Sequence, residues 1–179
     1  MGRNIVLRKP GKSDYSLPNV HRPVALLNTI GKVLSACVAE DLTSAVKEHG
    51  LLPINHFGCR PGRTTTDSLH YETKYIKDAW RRKEVVNTLF LDVKNAFPSV
   101  AIDWLAHDMR SRGVPREYTD WITRKVTGHQ TTLKFDGYES EPLPLSKGLD
   151  QGCPLLGIAF QFYNADIIDI RDIRKGEEE

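Results

Sequence analysis

The chain has 179 residues, 40% of them hydrophobic, and a formal net charge of +2. That length and apolar content support one good-sized domain or two small lobes with a real core, and they exclude wholesale disorder. The near-balanced charge neither requires nor excludes a nucleic-acid partner, so the distribution of charge has to decide.

The chain opens on a short apolar strand, Ile5-Val6-Leu7, followed by the basic turn Arg8-Lys9-Pro10-Gly11-Lys12 and a polar loop. His21 to Leu27 reads as a second short strand with Pro23 near its start. Ile30, Val33, Leu34, Cys37, Val38, Leu42 and Ala45 recur at helical spacing, with Asn28 as cap and Gly50 as terminator. The irregular piece 51–58 leads into a tight basic loop, Cys59-Arg60-Pro61-Gly62-Arg63. Thr64 to Asp67 then supply N-cap candidates for a helix whose buried stripe is expected at Leu69, Thr73, Ile76 and Trp80. This helix dissolves into Arg81-Arg82-Lys83-Glu84.

Val85 to Val93 is an apolar, β-branched run and reads as a buried strand that delivers Asp92 to its C-terminal edge. Taken alone, Asp92 has two readings, a cap for the next turn or a metal carboxylate on rigid backbone. After Pro98 an amphipathic helix is expected through Ile102, Leu105, Ala106 and Met109, ending at Gly113. Another runs from Pro115 through Tyr118, Ile122 and Val126 to near Gly128. Gln130 to Phe135 and Tyr138 to Leu145 form a hairpin around Asp136-Gly137. The loop 146–154 leads to a nearly all-round apolar helix, Leu155 to about Ile170, and then a charged tail over 171–179. The order of elements is an α+β pattern.

Three cysteines, Cys37, Cys59 and Cys153, fit neither a zinc site nor a disulfide framework. Their scatter suits a reducing, intracellular compartment, with Cys37 and Cys153 as small buried hydrophobes. No signal peptide, myristoylation signal or membrane-crossing run is read. The six histidines show no ligand spacing.

Four segments, in this order, resemble the fingers and palm blocks of reverse transcriptases, most closely those of fungal non-LTR (LINE-type) retrotransposons. They are Arg22-Pro23-Val24-Ala25-Leu26-Leu27-Asn28, Phe57 to Asp67, Phe90-Leu91-Asp92-Val93-Lys94-Asn95-Ala96-Phe97, and Gln151-Gly152-Cys153-Pro154-Leu155. The resemblance implies a right-hand polymerase, with fingers over about 1–84, a partial palm with some fingers over about 85–170, and a polar tail after it. It implies RNA-directed DNA polymerase activity on an RNA template and DNA primer, with Mg²⁺ (or Mn²⁺) and a dNTP substrate. By family analogy the compartment is the nucleus, the cytoplasm or both.

Site residues follow from the same resemblance. Asp92 is the first metal carboxylate, and the Val93 carbonyl is a further ligand. Phe97 matches the ring that packs under the incoming sugar and leaves no room for a 2′-hydroxyl; a core aromatic is the plainer reading. Arg60 and Arg63 fall in the block that contacts the triphosphate, where guanidinium groups bind phosphate oxygens in pairs. Arg63 equally suits a template phosphate or a backbone carbonyl. Gln151 and Gly152 match the loop against nucleotide and template base, where Gly152 permits close approach. Arg22 and Lys94 are weaker candidates for template backbone.

The chain also departs from the family pattern. It contains no Asp-Asp pair, and Leu156-Gly157 stands where a Ser is usual. The expectation is a domain truncated before the Asp-Asp hairpin and the thumb, lacking the second and third catalytic carboxylates and incomplete alone. The alternative is a catalytically dead remnant with at most residual nucleic-acid binding. An aspartate-nucleophile phosphatase is disfavoured, because Lys94 and Asn95 stand where a second Asp is needed.

Overall fold

The computed structural model describes residues 2–145 and 147–169. Ile170 and the charged tail lie outside the described residues, as does Ser146. Five strands form one mixed sheet. β1 (Gly2–Arg8) pairs antiparallel with β2 (His21–Leu26), from Arg3 opposite Leu26 to Arg8 opposite His21. On its other side β1 runs parallel to β3 (His129–Phe135), Gly2 opposite Thr131. β4 (Tyr138–Glu139) and β5 (Leu143–Leu145) both pair antiparallel with β3, so the expected hairpin folds back in two short pieces.

Five helices complete the fold: α1 (Thr29–His49), α2 (Thr65–Arg81), α3 (Ile102–Ser111), α4 (Arg116–Val126) and α5 (Leu156–Ile168). The side chain of Asn28 accepts from the Gly31 amide and starts α1. Thr64 and Asp67 form a reciprocal capping box that starts α2. The core gathers Leu42 and Val46 of α1, Leu105 and Met109 of α3, Ile122 of α4 and Phe162 of α5. α5 is therefore buried on one side along most of its length, and the loops that carry the motifs converge on it.

Three expectations fail, all for the same reason. The run 85–93 forms no strand and joins no sheet among the described residues, and Phe90 is 80% exposed. A β-branched run satisfies its backbone only in a ladder, and no described strand lies beside this one. The α2 stripe is likewise uncovered, with Leu69 exposed and Trp80 at 65% exposure. In the first half of α1, Ile30, Val33, Leu34 and Cys37 face outward, so Cys37 is not a buried hydrophobe, while Cys153 is half-buried. Periodicity marked these apolar faces correctly, but it did not say whether anything would cover them.

Candidate functional site

The loop 147–152 is fixed from two sides by backbone. Its Gly148 amide donates to the Val100 carbonyl at 2.9 Å, and the Leu149 amide donates to that of Phe97 at 2.9 Å. On the β2 side, the Ala25 amide donates to the Gln151 carbonyl at 2.7 Å. Two glycines make this possible. Gly148 has φ +94° and a Cβ there would lie 2.9 Å from the Pro98 carbonyl oxygen; Gly152 has φ +107° and would meet the Ala25 oxygen at 3.0 Å. Three of the four segments are thus brought together: the 22–28 segment with β2, the turn holding Phe97, and Gln151-Gly152. The half-buried Phe97 ring lies edge-on to Phe160 of α5, with centroids 4.8 Å apart. Gln151 has a buried side-chain oxygen with no partner.

The fourth segment docks further along α5. Arg60 donates through Nη1 to the carbonyls of Pro53 (3.0 Å) and His56 (3.4 Å). Arg63 donates to those of Ile54 and His56, and its guanidinium lies over the Phe57 ring. Neither arginine has a carboxylate partner among the described residues. Both brace the 53–56 turn, and each keeps further N–H donors free. Burial and the Arg63 charge pull the Arg60 guanidinium below its ordinary value. A recess of about 280 Å³ is lined by Thr43 and Lys47 of α1, Arg60, Arg63 and Gln161 of α5, so its walls carry three cationic side chains.

Sequence reasoning passed over three contributors here. Lys47 looked like ordinary helix surface. His56 is 6% exposed with neither ring nitrogen partnered, and burial, then the charges of Arg60, Arg63 and Arg112, hold its pKa below the usual value. Gln161 is 2% exposed, and its Nε2 donates to the Cys59 carbonyl at 2.8 Å. Its signal was available: it is the one strongly polar side chain in the otherwise apolar run 155–163.

Asp92, Val93 and Lys94 lie together on the exposed stretch, not at the end of a strand. Arg22 is exposed on the edge strand β2 and has no ion pair among the described residues. Other basic residues are paired: Arg8 with Asp136, Arg81 with Asp78, Arg82 with Glu84. Asp166 and Asp169 are engaged by Arg112 at 2.6 and 3.0 Å, which ties the end of α5 to the end of α3. Burial works against the Arg112 charge, but the hydrogen bonds to both aspartates outweigh it, and its pKa is raised. Among the described residues no three His, Cys, Asp or Glu side chains cluster as metal ligands. One exposed carboxylate with a neighbouring carbonyl does not by itself fit Mg²⁺, which wants near-octahedral oxygen.

The reverse transcriptase (RNA-dependent DNA polymerase) family profile matches residues 7–175. The chain belongs to the reverse transcriptase family. It is 28% identical over 93% of its length to the probable RNA-directed DNA polymerase from transposon BS of Drosophila melanogaster. It is 29% identical over 90% of its length to that from transposon X-element of the same fly. A further match, 28% identical over 80% of the chain, is the retrovirus-related Pol polyprotein from the type-2 retrotransposable element R2DM. This reverse transcriptase domain spans about 18% of the length of the first two relatives and 13% of the third. The relatives place it with the non-LTR retrotransposon branch of the family, whose members use divalent metals and dNTPs and bind an RNA template and primer. Among the described residues no helix is long and apolar enough to cross a membrane.

Proposed function

We propose that the chain forms the fingers and part of the palm of an RNA-directed DNA polymerase from a fungal LINE-type element. The observation that carries this is the convergence on α5. The 22–28 segment, the Phe97 turn and the Gln151-Gly152 loop are hydrogen-bonded into one unit, and the Arg60–Arg63 loop docks on the same helix. Phe97, backed by Phe160, is a rigid ring suited to lie beneath a sugar and reject a 2′-hydroxyl. Arg60 and Arg63, with donors to spare, suit a triphosphate. Gly152 brings backbone close to the nucleotide, and Gln151 offers a donor and an acceptor without charge. Arg22 and Lys94 suit template phosphates.

Asp92, with the Val93 carbonyl, is assigned as one ligand set for the metal ions. Two-metal nucleotidyl transfer needs more carboxylates than Asp92 supplies, so extension requires others from outside the described residues. The nucleus and the cytoplasm both suit such an enzyme. The alternative reading, a dead remnant with residual nucleic-acid binding, is favoured by one observation: among the described residues Asp92 belongs to no group of three or more His, Cys, Asp or Glu side chains that could hold a metal.

Two measurements test the proposal. Binding of an RNA-template/DNA-primer hybrid, followed by fluorescence anisotropy, is expected to weaken linearly on a log–log plot against salt; salt-independent binding overturns it. Primer extension with Mg²⁺ and dNTPs separates the two readings. Extension that disappears in Asp92→Ala supports the polymerase, and extension undiminished in Asp92→Ala removes Asp92 from the site. Hybrid binding without extension favours the remnant.

A further inference from the structure

Gln161 has features that no packing argument explains. It is a long polar side chain at 2% exposure on a helix that is otherwise apolar through its first two turns. Its Oε1 is buried with no partner among the described residues, a costly arrangement in a core. Its Nε2 makes a single hydrogen bond, to the Cys59 carbonyl, across 102 residues of sequence. Cys59 itself holds φ +49°, a left-handed backbone that a non-glycine residue adopts only when its surroundings impose it. On the preceding turn of α5, Gly157 lets the same residue approach. A Cβ at position 157 would stand 3.4 Å from the Cys59 Cβ and 3.7 Å from its Sγ.

The turn at Cys59 is therefore held to α5 by one hydrogen bond and packs over the side-chain-free Gly157. Arg60 is the next residue, and the loop that leads into the same helix carries Gln151 and Gly152. A single rigid element sets the distance between the guanidinium loop and the glutamine loop. We infer that Gln161, with Gly157, is a positioning residue: it holds the Cys59 turn so that Arg60 and Arg63 present their free donors to the triphosphate. The side chain does not touch the nucleotide and acts only through the loop. This rests on the reading of Arg60 and Arg63 as triphosphate contacts.

The test uses the 179-residue chain with dTTP as probe, binding being read by calorimetry. Leu at position 161 keeps the volume and removes the donor. Gln161→Leu is expected to weaken dTTP about three- to tenfold, the worth of one hydrogen bond in such a setting. Arg60→Ala is expected to weaken it at least as much. In the double variant the two losses should not add, because one acts through the other. Trypsin cleavage after Arg63 is expected to quicken in Gln161→Leu, reporting a loosened loop independently of nucleotide. Gly157→Val, which displaces Cys59 from its other contact, should reproduce both effects, and it keeps the inference testable where the buried Leu spoils folding.

The outcomes separate the two layers. If the unaltered chain fails to bind dTTP, or Arg60→Ala binds it unchanged, the triphosphate reading falls and takes the inference with it. If Arg60→Ala weakens binding while Gln161→Leu and Gly157→Val do not, the positioning inference alone is overturned. Fully additive losses in the double variant also overturn it, since Gln161 would then act independently of Arg60.

Discussion

Gly148 shows how little freedom the site leaves its backbone. A methyl group there meets the Pro98 carbonyl at 2.9 Å in a conformation that disfavours any L side chain. Gly148→Ala is expected to cost about 2–4 kcal/mol, combining backbone strain with the clash, as measured by urea unfolding. His56 gives a pH signature of known sign. Its folded pKa lies below the ordinary 6.5, because it is buried and faces Arg60, Arg63 and Arg112. Below pH 6.5 the unfolded chain takes up the proton and the folded chain does not, so stability falls as pH drops from 6.5 towards the folded pKa. The slope there is at most about 1.4 kcal/mol per pH unit. His56→Leu should flatten the dependence of the urea midpoint on pH below about 6.5; an unchanged slope would remove His56 as its source.

Each helix shows where sequence pattern suffices and where it does not. The capping box of α2 was legible because it is local: Thr64 and Asp67 are three residues apart and satisfy each other's backbone. Thr64→Ala should cost about 1 kcal/mol, seen as faster amide exchange in the first turns of α2. The Gly113 and Gly128 ends and the Asp136-Gly137 turn were legible for the same reason. The position of α5 as the common support was not, since it depends on contacts such as Gln161 with Cys59 and Phe97 with Phe160 that no spacing encodes. The motifs named the Arg60 and Gln151 loops, and a backbone carbonyl was one partner open to Arg63, which donates to those of Ile54 and His56; that Arg60 braces the same 53–56 turn could be seen only in three dimensions. The expected strand at 85–93 failed because strand identity belongs to a pair, and the composition of one member does not supply the other.

Taken together, the molecule has a well-filled centre and three uncovered apolar faces: the run 85–93, the α2 stripe and the first turns of α1. Faces of this extent promote association. The 179-residue chain is expected to bind a hydrophobic dye and to show a concentration-dependent sedimentation coefficient. Leu89→Lys combined with Leu91→Lys should reduce both without lowering the melting temperature, because neither side chain contributes to the core. A fall in melting temperature would mean that the run is packed rather than open.

The parallel pairing of β1 with β3 also sets a clock. Gly2 to Ile5 find their β3 partners only when residues 131–134 exist, whereas the β1–β2 pair needs nothing beyond residue 26. At ordinary rates of protein synthesis, roughly ten seconds separate the first strand from its second neighbour. Throughout that interval one edge of the nascent hairpin stays open on the ribosome. The step that closes it brings residues 2–5 to residues 131–134, so it is the slow, non-local event of folding.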